Sequence, residues 1–466
     1  MKGYTVPEAT AVRYKQSDAA RIHLVYSEGA VLEAGGKPPA SAFLKRIVLR
    51  DMPYAQFKAR HAPGKLRRDA KSCKVEGSFL TSEACRELGG LVSLGGPHLA
   101  LPYRVWQSSS PPDAPLDSAY ALLLRDLSPS LGWQQQAYFD SGSMHAALKA
   151  LAIMHAFFWR RLPTSSCSQN GPGDAAEAKL QGCRVWESGC YWHLGQLPLG
   201  HLDRIVPAWK QQLQEFGPFI TQSGFDTNRL ASLGHRLREH AESLHAKLHR
   251  VHPVSESNPD LGHTPPLPSK QRSSAFLTLI HGDPKAANFF FRPKQQEGAA
   301  NDLYSCPGET ELPEVGLVDF QWTGWGVAAV DIAYLLAASA APDLIPLRGN
   351  ETELLQYYYG CLAGSLSVIW GGGGTSPGTT LDDLVPSFAE LESQYEAALL
   401  DLTRAVVAEQ WPGLTLAKME ARQSRQSFNA YNRSPHHMVW LVTRADSFLK
   451  KWDSADGWDS CVYAQG

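Results

Sequence analysis

LIHGDPKAANFFF, residues 279–291, carries the pattern on which the prediction of this chain's fold and function depends. Apolar residues on both sides of HGDPKAAN predict two short strands with a polar loop held between them. A loop held in this way presents its side chains rigidly, and here it offers an acid, Asp283, a cation, Lys285, and an amide, Asn288. These three side chains are the first candidates for a functional site.

A second stretch, EVGLVDFQW at residues 314–322, predicts another short strand that ends at an acid, Asp319. Phosphoryl transfer requires positioning and charge neutralisation, which proteins commonly supply with a base, a cation and two metal ligands. Mg²⁺ prefers oxygen ligands and keeps water and phosphate oxygens in its shell, so one Asn and one Asp suffice. The ordered pair of stretches, with H-x-D-x-K-x-x-N spacing in the first, therefore predicts a phosphoryl-transfer site.

HGDPKAANFFF followed by VDFQWTGWGVAAVDIAYLL resembles the small-molecule branch of the protein-kinase-like superfamily. That branch includes aminoglycoside phosphotransferases, choline kinases and, most similar in these motifs, the ecdysteroid kinase-like (CHK kinase-like) group. The group combines H-G-D-x-x-x-x-N with D-F-Q in place of the D-F-G of protein kinases. The resemblance implies that Asp283 is the catalytic base, that Lys285 lies near the γ-phosphate, and that Asn288 and Asp319 bind Mg²⁺.

The same resemblance implies an α+β, bilobal protein-kinase-like fold. The small antiparallel β N-lobe would span residues 1–127, and the larger, mainly helical C-lobe residues 128–466. ATP and Mg²⁺ would be the cofactors, and the acceptor would be a hydroxyl of a small molecule that the sequence does not identify. His281 would support the catalytic loop, and Asp331 would hydrogen-bond its backbone.

Two charged residues of the N-terminal part are candidates for holding the nucleotide phosphates. Lys45 lies in the strand pattern SAFLKRIVL and matches the family lysine that pairs with the α- and β-phosphates, with Arg46 as the competing candidate. Glu76 lies on a helix predicted over residues 67–88 and would hold Lys45 in an ion pair. Glu83 is the alternative to Glu76.

The segment AYALLLRDL predicts the strand and hinge that join the two lobes, where backbone groups would contact adenine. The hinge candidates are Leu124, Arg125, Asp126 and Leu127. Family members commonly have L-E-D-L here, so Arg125 is a departure, but one that leaves backbone contacts unaffected.

Alternating residues between 10 and 28 predict a hairpin, which in a kinase-like fold covers the ATP phosphates. Glycines normally allow the backbone of this lid to approach the phosphates, but the turn over residues 15–21 has none. This departure favours one alternative function, a non-catalytic binding protein of the same fold. A protein kinase is a weaker alternative because D-F-Q lacks the usual glycine and no A-P-E follows.

A helix is predicted over residues 143–159, with Ser143 as N-cap and His155 on its apolar face. Core packing explains that histidine better than catalysis does. Two aromatic-rich segments follow at the place where related kinases build the acceptor pocket. Their aromatic residues are Trp186, Tyr191, Trp192 and Trp209. Core packing is the default for them, and an aromatic wall for a cationic or planar acceptor is the alternative hypothesis.

Composition limits the remaining possibilities. A net charge of −2 over 466 residues provides no field that would attract nucleic acid or an anionic membrane, so we expect neither partner. The polar N-terminus predicts no signal peptide, and no apolar stretch is long enough to span a bilayer. Eight cysteines without metal-ligand spacing predict reduced thiols in a cytoplasmic protein, although Cys183 and Cys190 are close enough in sequence for a disulfide.

Four segments rich in Pro, Ser, Gly or other polar residues predict loops. They span residues 163–178, 251–274, 294–314 and 370–380. An amphipathic helix is predicted over residues 224–250, directly before the second of these loops.

Overall fold

A computed structural model describes most of the chain. The described residues are 3–5, 12–13, 17–26, 39–108, 114–161, 180, 182–198, 200–249, 276–294, 312–370 and 385–454. The predicted loops at 163–178 and 251–274, and most of those at 294–314 and 370–380, lie outside these residues.

The described strands form one larger and two smaller sheets. They are β1 (Gly3–Thr5), β2 (Val12–Arg13), β3 (Asp18–Val25), β4 (Ser41–Val48), β5 (His98–Leu99), β6 (Pro102–Ser108), β7 (Ala119–Arg125), β8 (Arg160–Arg161), β9 (Phe276–Ile280), β10 (Phe289–Arg292), β11 (Glu314–Leu317) and β12 (Gly324–Gly326). The larger sheet has the order β1-β3-β4-β7-β6, with β2 also paired to β3, and all of its pairs are antiparallel.

The predicted N-terminal hairpin is present as β2 and β3, in which Val12 pairs with Ala19. Residues 14–16 of its turn lie outside the described part of the chain. Next in the sheet, Lys45 of β4 is paired with Ala19 of β3 and with Leu122 of β7. Lys45 is therefore in a central strand, held from both sides.

The described α-helices lie mostly in the C-terminal part. They are α1 (Pro53–His61), α2 (Pro63–Thr81), α3 (Glu83–Gly89), α4 (Ser141–Phe157), α5 (His201–Gln222), α6 (Thr227–Leu230), α7 (Leu233–Glu239), α8 (Ala241–Leu248), α9 (Ala328–Ser339), α10 (Glu351–Trp370), α11 (Phe388–Ala405), α12 (Leu416–Glu420) and α13 (Pro435–Asp453). The core is formed by α4, which packs along α10, and by α9, which packs along α11.

Two predicted helix boundaries were wrong for reasons of local capping. The helix expected over 67–88 is interrupted at Ser82, whose extended backbone and Oγ cap α3 by accepting a hydrogen bond from the Cys85 N–H. Asp140 caps α4 by accepting from the Ser143 N–H, so Ser143 is inside the helix and is not its N-cap.

The helix expected over 224–250 is three short helices, α6 to α8, with breaks near Ser232 and His240. The apolar pattern of the sequence continues through the breaks, because all three helices bury leucines in the same hydrophobic core. Examples are Leu233, Leu237 and Leu244. Apolar periodicity alone therefore could not reveal the breaks.

The two smaller sheets bring the motif stretches together. β10 pairs antiparallel with β11, which places Phe289 opposite Leu317. β12 pairs antiparallel with β9, which places Gly324 opposite Ile280. The loop after β9 and the residue after β11 therefore meet at one edge of the structure.

The observed architecture is the expected α+β, bilobal kinase-like fold, with an antiparallel sheet in the N-terminal part and a mainly helical C-terminal part. The larger sheet ends at Arg125, and the division at residue 127 remains a prediction. Cys183 and Cys190 are free thiols, so the alternative disulfide between them is not present. In the described part of the chain, no helix combines the length and apolar character needed to cross a membrane.

Candidate active site

Asp331 fixes the shape of the loop that follows β9. Its fully buried carboxylate accepts hydrogen bonds from the backbone N–H groups of His281, at 2.7 Å, and Gly282, at 2.9 Å. The His155 Nε2 lies 3.2 Å from the same carboxylate, and its Nδ1 lies 2.8 Å from the Tyr358 hydroxyl. His155 is thus a buried, hydrogen-bonded residue of the core, as its place on the apolar helix face indicates.

Gly282 is required at its position. Its φ is +80°, and a Cβ built there would lie 2.2 Å from the Trp322 carbonyl oxygen and 2.8 Å from the Cys190 amide nitrogen. The glycine therefore allows the catalytic loop to touch two neighbouring segments at once.

We predict that Asp331→Ala destabilises the protein by about 3 kcal/mol or more, because two buried backbone donors and His155 lose their acceptor. Denaturant unfolding followed by circular dichroism measures this change. Asp343→Ala is the matched control because Asp343 is an exposed residue soon after the same helix, and it should unfold like the wild type. Equal loss of stability in the two variants would contradict the assigned role of Asp331.

Asp283 is almost fully buried and is held on one side only. Its Oδ2 accepts a hydrogen bond from Lys285 Nζ at 2.6 Å and a longer one from Asn288 Nδ2 at 3.3 Å. The same Asn288 Nδ2 donates to the Asp283 backbone carbonyl at 2.8 Å. The Asp283 Oδ1, although buried, has no hydrogen-bond partner among the described residues. The carboxylate is therefore oriented with one oxygen free to accept a proton or a hydrogen bond.

The Lys285 ammonium group lies between two carboxylates, those of Asp283 and Asp319. Burial raises the pKa of Asp283, the Lys285 ammonium opposes that rise, and the Asp319 carboxylate adds to it. Burial lowers the pKa of Lys285, but Asp283 and then Asp319 raise it above its ordinary value. Lys285 therefore remains protonated between two acids.

Asp319 adopts a backbone conformation that is uncommon for a residue with a side chain, with φ 68° and ψ 61°. Such a conformation is sparsely populated for residues other than glycine, and the Asp319 side chain is one-third exposed. Its Oδ1 lies 3.0 Å from Lys45 Nζ. Burial raises the pKa of Asp319, but Lys45 and then Lys285 lower it below its ordinary value, so the carboxylate is ionised.

Lys45 joins the two lobes through its ammonium group. Its Nζ lies 2.8 Å and 3.0 Å from the two carboxylate oxygens of Glu76, besides its contact with Asp319. Gln321 Nε2 also donates to Glu76, at 3.3 Å. Burial lowers the pKa of Lys45, but Asp319 and Glu76 together raise it above its ordinary value.

The alternatives to Lys45 and Glu76 lie elsewhere. Arg46 is exposed and contacts Asp18 and Asp51 on the outside of the sheet. Glu83 is exposed at the start of α3 and pairs with Arg86, three residues on. Only Lys45 and Glu76 of these four residues face Asp319.

We predict that Glu76→Gln lowers kcat/KM for ATP by about 10- to 100-fold, because Lys45 loses the charge that holds it in place. Steady-state kinetics with varied ATP measures the change. Glu83→Gln is the matched control, since it removes the same charge from a neighbouring exposed position, and its kinetics should equal those of the wild type. If Glu83→Gln were the impaired variant, the pairing would be assigned to the wrong glutamate.

The predicted hinge residues lie at the end of β7 and just beyond it. Leu124, Asp126 and Leu127 are buried, whereas the Arg125 side chain is exposed. The Asp126 carboxylate accepts hydrogen bonds from Arg21 Nε, at 2.8 Å, and Ser41 Oγ, at 2.6 Å. The side chain of Asp126 therefore anchors β3 and β4, and any contact of this segment with adenine would be through its backbone.

The oxygen ligands predicted for Mg²⁺ are adjacent and fit that ion. The Val318 N–H donates to the Asn288 carbonyl at 3.1 Å, so Asp319 directly follows a residue bonded to Asn288. The Asn288 amide nitrogen is engaged by Asp283, which leaves the amide oxygen for a cation. An amide oxygen and an ionised carboxylate are the hard ligands that Mg²⁺ prefers.

Trp186 and Tyr191, two of the four aromatic residues suggested for the wall, pack around Trp322, which directly follows the D-F-Q motif. Trp186 stacks on Trp322, with ring centroids 5.4 Å apart and an interplanar angle of 16°, and Tyr191 contacts Trp322 at 6.2 Å. Hydrogen bonds hold Trp186 in place, from its N–H to the Thr323 carbonyl and from its Nε1 to the Gln321 carbonyl. Trp186, Trp192 and Trp209 are all buried, as the core-packing default predicts, whereas Tyr191 and Trp322 are partly exposed.

Several residues near the loop were not found by sequence reasoning. The hydroxyl of Tyr191 accepts from Gln410, and Asn429 donates to the hydroxyls of Tyr334 and Tyr431. The Asp283 carboxylate contributes to raising the pKa of Tyr191 and of Tyr334, so these hydroxyl groups lie close to the loop. Trp322, directly after D-F-Q, could have been identified by its position, whereas Gln410 and Asn429 carry no motif.

The loop with Asp283 and Asn288, the acid Asp319 and the Lys45–Glu76 pair together resemble the site of one class of protein, the protein-kinase-like small-molecule kinases. The sequence model of the ecdysteroid kinase-like family matches residues 225–369, which include both motif stretches. The resemblance predicted from these motifs is therefore confirmed. A search of curated proteins finds no match.

Three solved structures that match this chain have low sequence identity to it. Macrolide 2′-phosphotransferase MphH from Brachybacterium faecium is 14% identical, with 88% of this chain and 94% of that chain covered and a TM-score of 0.33. Ethanolamine kinase from Plasmodium vivax is 8% identical, with 95% and 82% covered and a TM-score of 0.37. Amicoumacin kinase hAmiN, in complex with AMP-PNP, Ca²⁺ and Ami, is 12% identical, with 95% and 88% covered and a TM-score of 0.35.

Proposed function

We propose that this protein is an ATP-dependent kinase that transfers the γ-phosphate to a hydroxyl of a small molecule. The observation that carries the proposal is the Asp283 carboxylate, which is buried and oriented by Lys285 but has Oδ1 free of any partner among the described residues. An acceptor hydroxyl at Oδ1 would give its proton to this oxygen as the phosphoryl group is transferred.

Each of the other site residues has a defined task in this proposal. Asn288 and Asp319 would hold Mg²⁺, which when bound neutralises charge on the β- and γ-phosphates. Lys45, held by Glu76, would pair with the α- and β-phosphates. Lys285 would keep Asp283 oriented and place a positive charge near the γ-phosphate.

The aromatic wall favours a neutral acceptor over a cationic one. The Arg68 guanidinium lies 5.4 Å from the ring centre of Trp322, and Lys71 Nζ lies 4.4 Å from that of Trp186. Both rings therefore already carry a cation, which would repel the ammonium group of an amino alcohol. We propose an uncharged acceptor with a planar or ring-shaped apolar body and a free hydroxyl.

The first experiment measures the melting temperature of the full chain with ATP, with and without Mg²⁺. A ligand at a hundred times its dissociation constant stabilises the fold by about 2.7 kcal/mol, so the shift is readily detected. We expect a Mg²⁺-dependent rise. No rise at any ATP concentration would favour the alternative, a non-catalytic binding protein of this fold.

The second experiment measures ADP release with a panel of hydroxyl compounds, pairing each neutral ring alcohol with an amino alcohol of similar size. We expect stimulation by members of the neutral set. Stimulation by the amino alcohols alone would show that the wall recognises a cation, and phosphorylation of a peptide by the chain would support a protein kinase.

The proposal includes a cytoplasmic location and no nucleic-acid or membrane partner. It is supported by the net charge of −2 and by the free thiols of the described cysteines, which suit a reducing compartment.

A further inference from the structure

Three histidines form a cluster outside the catalytic loop. His245 and His249 are one helical turn apart at the end of α8, and His193 approaches them from the segment after Trp192. The ring centroids are 4.3 Å apart for His193 and His245, 4.5 Å for His193 and His249, and 4.8 Å for His245 and His249. One ring nitrogen of each residue lies within 4.8 Å of the other two.

The ring nitrogens of this cluster have few protein partners. The Nδ1 atoms of His193 and His245 and both ring nitrogens of His249 are buried, and none has a hydrogen bond within the described residues. His249 as a whole is only 1% exposed. Buried polar atoms are nearly always paired, so four unpaired nitrogens in one place indicate a missing ligand.

The histidines have the protonation state that a metal ion requires. Burial lowers the pKa of His193 and His249 well below the ordinary value, and the neighbouring imidazoles and Arg404 lower it further. Burial also lowers the pKa of His245, to about 4. All three are neutral near pH 7, so each has a nitrogen lone pair to donate.

The positive charge nearest the cluster, that of Arg404, is neutralised by an ion pair with Asp401. Arg404 is fully buried near the cluster, but it is paired with the fully buried Asp401, whose Oδ1 lies 2.7 Å from Arg404 Nη2. The other oxygen of Asp401 is also buried without a partner within the described chain, and its negative charge acts on His245. The helix that carries Asp401, α11, packs directly against α8.

We propose that His193, His245 and His249 bind one divalent transition-metal ion, with zinc as the best match. Three imidazoles suit zinc, cobalt, nickel or copper, whereas Mg²⁺ and Ca²⁺ prefer oxygen ligands. Zinc–nitrogen bonds of about 2.0–2.1 Å place tetrahedral ligand nitrogens about 3.4 Å apart, so the rings must turn inward on binding. The fourth position would take a water molecule.

The position of the cluster suggests what the ion does. It would fasten the end of α8 to the segment that carries Tyr191, which belongs to the aromatic wall beside Trp322. The ion would therefore stabilise one edge of the acceptor site without taking part in phosphoryl transfer.

The test uses the full chain, treated with chelator and then titrated with Zn²⁺ or Co²⁺. We expect about one equivalent of bound metal, a raised melting temperature, and the intense visible absorption of tetrahedral Co²⁺ with nitrogen ligands, which six-coordinate Co²⁺ with oxygen ligands lacks. His245→Gln and His249→Gln should weaken zinc binding by more than about 100-fold, because even changes to residues behind the ligands cost 10–100-fold.

Two variants serve as controls. His235→Gln removes an exposed histidine of the neighbouring helix α7, and Asp319→Ala alters the phosphotransfer site, so both should bind zinc like the wild type. The proposal is overturned if the wild type binds less than about a tenth of an equivalent, or if folded His245→Gln binds zinc as tightly as the wild type. It is also overturned if Co²⁺ gives only the weak six-coordinate spectrum, a readout that needs no variant to fold.

Discussion

Asp283→Asn should reduce the rate of phosphoryl transfer by about 10²- to 10⁴-fold while leaving Mg-ATP binding close to that of the wild type. The substitution keeps the size of the side chain and an oxygen for Lys285, but removes the ability to accept a proton. Because the Oδ1 of Asp283 is the unpaired buried oxygen, the loss should be in kcat. Single-turnover transfer and ATP titration measure the two effects separately.

The pH profile provides a second readout for Asp283. A base must be ionised to work, so activity is lost as pH falls through its pKa, and burial raises the pKa of Asp283. The acidic limb of the kcat profile should therefore lie above the ordinary range for a carboxyl group and should be absent from Asp283→Asn. Asp343→Asn, at an exposed position, is the matched control and should behave like the wild type. Transfer at the normal rate by Asp283→Asn would show that the base is another group.

Asp319→Ala should weaken Mg-ATP binding by about 100-fold, equivalent to about 2.7 kcal/mol, and should abolish the dependence of ATP binding on Mg²⁺. The variant loses the one carboxylate of the proposed metal site, while Lys45 keeps its contact with Glu76. Calorimetric titration with ATP in Mg²⁺ and in chelator measures both effects.

Two further variants make this result specific to the metal. Asp319→Asn keeps an oxygen ligand but not its charge, so its affinity should fall between those of Asp319→Ala and the wild type. Asp343→Ala should leave the affinity unchanged. If Asp319→Ala retained Mg²⁺-dependent binding, the ion would be held by other residues and the assignment of Asp319 would be wrong.

Local sequence was sufficient to predict the loop and the strands around it. The loop from His281 to Asn288 joins two strands that are adjacent in the chain, so its conformation depends mainly on short-range pattern. The Lys45–Glu76 contact was expected from resemblance, and pattern alone left Arg46 and Glu83 as alternatives. The strand register of β4 distinguishes Lys45 from Arg46. The end of α2 before Ser82 distinguishes Glu76, on α2, from Glu83, on α3.

Residues contributed by distant segments could not be predicted. Gln410 and Asn429 hydrogen-bond Tyr191 and Tyr334 from the C-terminal part of the chain, and His193 meets His245 and His249 only because α8 folds back onto the segment after Trp192. None of these residues lies in a motif, since their common position depends on long-range packing.

The resemblance of the two motif stretches to a known family implied the kinase-like class, and the residue pattern predicted the loop, its candidate base and the metal ligands. That pattern consists of apolar periodicity and side-chain spacing within two short stretches, both of which are properties of neighbouring residues. Long-range packing determines which strand face meets Asp319, which tryptophan stacks on Trp322, and where the three histidines come together. Those outcomes depend on the packing of elements far apart in the chain, and no local pattern records that packing.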